Sequence, residues 1–95
     1  MPAEEFSRDV SATLDELAKW VAAAYPDAER VGSGGYRIVT PEATLVLTAS
    51  PGPERRIALL RLPTLSLRYH FTSGDEAARG RLLHRLDLFM HRGGG

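Results

Sequence analysis

His84, Asp87 and His91 recur near the C-terminus at spacings of three, four and seven, so a helix there carries two imidazoles and a carboxylate along one polar face. These are the donors a divalent metal takes. Reach decides against a site. At about 1.5 Å of rise per residue, His84 and His91 stand roughly 10 Å apart along the axis, too far to share one ion. His84 with Asp87 supplies only two donors, fewer than a structural site needs. No metal and no cofactor is assigned. The third histidine, His70, lies two residues from Arg68 in an alternating segment and is the residue best suited to titrate near neutral pH. There is no glycine-flanked nucleophile and no Ser/His/Asp set whose proximity the sequence implies. The absence of cysteine removes thiol nucleophiles, disulfides and thiolate ligands together. The chain is read as non-enzymatic, with no catalytic residue.

Two glycine-rich stretches have a chemical reading as well as a bland one. Gly32-Ser33-Gly34-Gly35 has the composition of an anion cradle, but a phosphate loop must lead straight into a helix, whereas Tyr36-Arg37-Ile38-Val39-Thr40 alternates as a strand. It is read as a turn. The terminal Arg92-Gly93-Gly94-Gly95 resembles the tails of ubiquitin-like modifiers and small sulfur-carrier proteins, whose unhindered Gly-Gly carboxylate is adenylated by an activating enzyme. The resemblance covers two or three residues and departs in order: those tails follow a strand of a β-grasp, and this one leaves a helix. It implies a carrier protein as an alternative function.

Composition bounds the rest. With 95 residues, 43% hydrophobic and 25% charged, the chain builds one domain with one modest core. The start, with Glu4-Glu5 and a helical pattern broken by Lys19, lacks the basic and apolar regions of a signal peptide, and no run reaches membrane-spanning length. A cytoplasmic protein with no membrane partner is expected. The formal charge is zero but unevenly spread: residues 1–54 hold four Lys/Arg against nine Asp/Glu, and residues 55–95 hold eight Arg against three Asp/Glu. Such a split either attracts an anionic partner or neutralises itself when the halves meet in one fold.

Apolar residues from Phe6 through Val10, Leu14, Leu17, Trp20, Val21 and Ala24 keep a three-and-four spacing, which predicts a helix over residues 2–25, ended by Pro26. Strands are expected over residues 35–71: Tyr36–Thr40 and Thr44–Thr48 as a hairpin about Pro41-Glu42, then Arg56–Leu62, then Leu65–Phe71, with Pro63 as a turn or a bulge. Ser73-Gly74-Asp75-Glu76 has the S-x-x-E form of a capping box and opens a helix over residues 74–92, with Gly93 as its C-terminal cap and a glycine tail to residue 95.

The expected fold is a single α+β domain, a two-layer sandwich in which an antiparallel meander of about four strands carries both helices on one face. Leu65, Leu67, Tyr69, Phe71, Tyr36, Ile38, Leu45 and Leu47 face the helices. Arg37, Val39, Thr44, Val46, Thr48, Ser66, Arg68 and His70 face outward. Arg56–Leu62 is apolar on both parities, so Leu60 and Leu62 are expected on the open face beside Val39 and Val46. The candidate binding residues are therefore Arg37, Leu60, Leu62, Arg68 and His70, and the expected function is a binding or adaptor domain that uses this face for a homodimer or a protein partner.

Helix-strands-helix order also resembles that of double-stranded-RNA-binding domains, which implies phosphate contacts by Arg68, Arg79, Arg81 and Arg85 as a second alternative. The last helix departs by opening on Asp75-Glu76, and the chain has no Asn or Gln to read adenine. A similar order occurs in frataxin-like iron proteins, with an acidic start like Glu4, Glu5 and Asp9 but no matching sheet motif.

Overall fold

Alternation of side chains builds the sheet. Leu65, Leu67, Tyr69 and Phe71 on one strand, Leu45 and Leu47 on the next and Tyr36 and Ile38 on a third are all buried, while the residues between them turn outward or lie at intermediate depth. The computed structural model describes residues 4–94, with side chains as far as Met90. In chain order the elements are β1 (Glu5–Val10), α1 (Leu14–Ala24), β2 (Glu29–Val31), β3 (Gly35–Val39), β4 (Thr44–Pro51), β5 (Arg55–Ile57), β6 (Leu60–Leu62), β7 (Leu65–Ser73) and α2 (Glu76–Gly94). A five-stranded antiparallel sheet runs β1-β7-β4-β3-β2, and β5 and β6 form a separate two-stranded sheet. Both helices contribute to the core on the inner face, α1 through Leu17, Val21 and Ala24 and α2 through Ala78, Leu82, Leu83, Leu86 and Met90. This is the expected α+β two-layer sandwich, with five strands in its sheet.

The N-terminal segment differs from the single helix expected over residues 2–25. Residues Glu5–Val10 form β1, which pairs with β7 from Glu5↔His70 to Val10↔Leu65. A four-residue spacing such as Phe6 to Val10 fits a strand as well as a helix, and Phe6, Arg8 and Val10 share the inner face. Without β1, the unpaired edge of β7 would be left open. The helix begins only at Leu14, where Thr13 and Glu16 form a reciprocal capping box: Thr13 Oγ1 accepts from the Glu16 amide at 3.1 Å, and Glu16 Oε1 accepts from the Thr13 amide at 3.0 Å. Thr13→Ala is expected to lower the unfolding free energy by about 1 kcal/mol. Urea titration followed by Trp20 fluorescence checks this, and an unchanged midpoint would contradict the cap's contribution.

Three other boundaries move. The glycine turn is present between β2 and β3, but β2 was not anticipated, because Val31 is its only apolar residue. A Cβ on Gly35 would come within 2.4 Å of the Val31 carbonyl oxygen, so that turn requires glycine. At α2 the capping side chain is Asp75, whose Oδ1 accepts from the Ala78 amide at 2.8 Å, and Ser73 instead ends β7 opposite Thr44. The backbone stays helical through Gly94, so Gly93 does not end α2, and Gly95 lies outside the described residues.

The largest departure lies between Pro53 and Pro63. Arg56–Leu62 is not one strand of the main sheet. It reverses at Ala58-Leu59, with Ala58 in the left-handed region at φ 54°, and folds back as the β5–β6 hairpin. Below the hairpin the β4–β7 ladder continues to Pro51↔Leu65, and the Gly52 amide bonds the Thr64 carbonyl at 2.9 Å. Beyond that point, neither Pro53 nor Pro63 has an N–H to carry the ladder on. The chain therefore extends an arm, fastened at its base by the Thr64 hydroxyl donating to the Pro53 carbonyl, from a molecule measuring 45 × 25 × 22 Å.

Candidate functional site

The open sheet face brings three of the five candidate binding residues together. Glu29, Arg37, Val46, His70 and Glu5 lie side by side across β2, β3, β4, β7 and β1. Arg68 is ion-paired with Glu5, and Arg37 lies 3.9 Å from Glu29. The rest of the face is mostly small and polar: Ser7, Thr48, Ser50 and Ser66. Thr44, expected here, is buried next to a register shift at the start of β4. Leu60 and Leu62 are absent from this face because their strand left the sheet, so the expected apolar patch beside Val39 and Val46 does not form.

The described arginines of α2 are also engaged. Arg81 is ion-paired with Glu42, and Arg79 donates to the Gly74 carbonyl at 2.8 Å. Arg85 donates through Nε to the Ala24 carbonyl at 2.8 Å, with its guanidinium 5.6 Å from the ring centroids of Tyr25 and Phe89. The last turn of α1 holds no basic residue of its own, so Arg85 places positive charge at the negative pole of α1 from the neighbouring helix. Tyr25 returns the contact by donating its hydroxyl to the Leu82 carbonyl at 3.2 Å. The Glu5–Arg68 and Glu42–Arg81 pairs join the acidic half of the chain to the basic half, so much of the charge split is answered within the fold.

Asp87 is held by an arginine. One guanidinium nitrogen of Arg8, Nη1, reaches both its carboxylate oxygens, at 2.9 and 3.0 Å. No group of three metal-ligating side chains occurs among the described residues, and the His91 side chain lies outside them. Arg8 also covers the stacked rings of Phe6 and Tyr69. Burial pushes the Tyr69 phenol up to about 12; the Arg8 charge opposes the shift and the Asp87 charge adds to it. The unfolded chain ionises this phenol from about pH 10, so stability is complete below pH 10 and is lost as the pH rises toward 12. About 1.4 kcal/mol should be gone by pH 11. Tyr69→Phe is expected to flatten that slope between pH 9 and 11, leaving the part due to Tyr25, whose phenol burial also raises. An equally steep loss in the Phe variant would assign the slope elsewhere.

Among the described residues, the two most exposed large apolar side chains, Leu59 and Leu60, lie on the arm, while Val31, Val39 and Leu88 are exposed singly elsewhere. The arm's pairing, Arg55↔Leu62, Arg56↔Arg61 and Ile57↔Leu60, sets Ile57, Leu60 and Leu62 with Arg55 on one face and Arg56 with Arg61 on the other. Leu59, at the tip, is 100% exposed, Leu60 62% and Ile57 48%. Arg56 and Arg61 share a single carboxylate, Glu54, at 4.0 and 3.7 Å. From Glu54 to Leu62 there are three arginines and one glutamate, an excess of +2. Ile57, Leu59, Arg55, Arg56 and Arg61 were not among the candidates. The signal was available in the two prolines that bracket a segment apolar on both parities.

Comparison with family models, curated proteins and solved structures found no match. No helix among the described residues is long and apolar enough to cross a membrane. The described residues include one amphipathic projection, the β5–β6 arm.

Proposed function

We propose that this chain is a small non-enzymatic binding domain that docks onto a protein partner through the β5–β6 arm, with the five-stranded sandwich as the rigid base. One observation carries the reading: the apolar face of a two-stranded ribbon, Ile57, Leu60 and Leu62 with Leu59 at its tip, faces solvent. An isolated two-stranded hairpin is at best marginally stable in water, so such a ribbon gains its order from whatever covers it. Burying a leucine contributes about 1.5–3 kcal/mol, and two or three of them supply a useful contact. The ion pairs made by Arg37, Arg68 and Arg81 favour this reading over docking to nucleic acid through the sheet or α2.

Leu60→Glu places a charge in the middle of the apolar face and touches no core residue. It is expected to abolish association while leaving Trp20 fluorescence and the circular dichroism of the sandwich unchanged. Association that persists at full strength in the folded variant would remove the arm from the reading.

A further inference from the structure

We propose that the cover for the arm is the body of a second copy of this chain, with each arm lying in the cleft between α1 and the β2–β3 hairpin of its partner. The inference rests on the reading of the arm as a docking element and names what it docks to. Three observations converge on a reciprocal arm-to-body contact.

Charge is the first. The chain is neutral overall, so an arm of +2 leaves a remainder of −2. Two arms packed apolar face to apolar face would bring two such excesses together, with Arg55 at each contact, and like charges opposed at an interface are costly. The segment from Asp9 to Arg30 holds five carboxylates against Lys19 and Arg30. Among the described residues, Glu29 is the one of those carboxylates that is ion-paired, with Arg37. On α2 the described charges are Arg79, Arg81 and Arg85 against Glu76 and Asp87, and the sheet face pairs Arg37 and Arg68 internally, so the α1 side is the more acidic complement.

Shape and polarity are the second. A cleft of about 390 Å³ lies within that acidic segment, lined by Ala18, Ala22, Tyr25, Pro26, Ala28 and Tyr36. Its two cations are Lys19 and Arg30, and Arg30 is turned over the Tyr36 ring with Nη2 donating to the Ser33 carbonyl. Small side chains along α1 and the aromatic side chains of Tyr25 and Tyr36 form a slot that takes branched aliphatic side chains such as Leu59 and Leu60, and the carboxylates of the same chain segment give the arm's arginines their counter-charge.

Size and supply are the third. A stable interface buries roughly 800 Å² per partner, and a single arm of nine residues, Glu54 to Leu62, is a small element to supply it. A two-fold arrangement uses each contact twice, arm into cleft and cleft around arm, and so doubles the buried surface without a new element. A ribbon that needs cover in every molecule is matched in number by a second copy.

The absence of cysteine makes the test direct, because Leu59→Cys creates a unique site for a thiol-linked photo-crosslinker. Full-length protein is mixed as equal parts ¹⁴N and ¹⁵N chains, irradiated and mapped by peptide mass spectrometry, alongside native mass spectrometry of the unlabelled wild type. The expected result is a wild-type dimer, with mixed-isotope crosslinks from position 59 into residues 18–36. Leu60→Glu should weaken the dimer by roughly tenfold or more, and Ala22→Glu, which leaves the arm intact, should weaken it similarly. A wild-type chain monomeric at about 100 µM overturns the second copy as the occupant; if it then binds a different protein through Leu60, the docking reading survives. A monomer that co-sediments with anionic phospholipid vesicles and loses this with Leu60→Glu overturns both. Crosslinks from 59 to 59, or into α2, overturn the cleft. A folded Leu60→Glu chain that remains fully dimeric overturns the arm itself.

Discussion

Tyr69→Ala is expected to lower the unfolding free energy by about 3–5 kcal/mol, the range for removing a fully buried aromatic ring. Tyr69 has no exposed surface and lies on β7 between Phe6 of β1 and Leu47 of β4. Its ring stacks on Phe6 with centroids 4.6 Å apart and planes 6° from parallel. The Arg8 guanidinium sits 5.4 Å from the Tyr69 centroid and 5.3 Å from that of Phe6 while its Nη1 holds Asp87 of α2. The phenol hydroxyl points at Met90 Sδ, 4.0 Å away, a weak contact. One ring therefore supports β1 from beside it and, through Arg8, ties that edge strand to α2. Its loss leaves a cavity, removes the stacking partner of Phe6 and frees the half-buried Arg8–Asp87 pair. Against a stability of about 5–15 kcal/mol for a domain of this kind, the expected loss is a large fraction of the whole. Tyr69→Phe keeps the ring and should stay within about 1 kcal/mol of wild type at neutral pH. Denaturant titration of both variants separates ring from hydroxyl, and an alanine variant within about 1 kcal/mol of wild type would refute the account of this cluster.

Gly74→Val should be nearly as damaging, at about 3–5 kcal/mol, from a residue that makes no side-chain contact at all. Gly74 joins β7 to α2 at φ 107°, where a β-branched residue is strained. A Cβ there would lie 2.6 Å from the Ala43 Cβ and 3.0 Å from both the Ala43 Cα and the Glu42 carbonyl oxygen. Those atoms cannot retreat. Ala43 is buried, and its amide and carbonyl are bonded to the Thr40 hydroxyl and amide, so the β3–β4 turn is held rigidly against the start of α2. Gly80→Ala is the control: nothing lies within 4 Å of its added Cβ, and alanine in a helix interior should raise stability by about 0.5–1 kcal/mol. Opposite shifts in the thermal midpoints of the two variants are expected. A Gly74→Val protein that melts with wild type would show that the turn yields after all.

Much of the fold could be read before any coordinates because it rests on short-range patterns. The inward set Tyr36, Ile38, Leu45, Leu47, Leu65, Leu67, Tyr69 and Phe71 followed from alternation alone, and every member is buried. The buried stripe Leu17, Val21 and Ala24 of α1 followed from helical spacing in the same way. The misreadings share one cause, a local pattern that two structures satisfy equally. Phe6 and Val10 suit a helix or a strand, and the unpaired edge of β7 selected the strand. Ser73 and Asp75 both precede a helix, and the turn that brings Gly74 against Ala43 decided which of them caps it. Thr13-Leu14-Asp15-Glu16 was as plain a start signal as Ser73-Gly74-Asp75-Glu76 and was overshadowed by the longer periodicity around it.

The candidate site was legible in content but not in place. Leu60 and Leu62 stood out as apolar residues with no room inside, and they are exposed or only partly covered. Arg37, Arg68 and His70 were correctly put on the open face, yet the carboxylates that pair with the two arginines come from β1 and β2, strands the sequence did not announce.

What the sequence by itself determined is the α+β class, the inward face of the sheet, the inner stripe of α1 and the lack of any thiol chemistry, because each depends on residue type and on periods of 2 or 3.6 along the chain. Only the tertiary structure decided where the N-terminal strand pairs, which charges cancel and that residues 55–62 leave the sheet as an arm. Those outcomes depend on which backbone edges meet, and hydrogen bonding between segments far apart in sequence leaves no period to read.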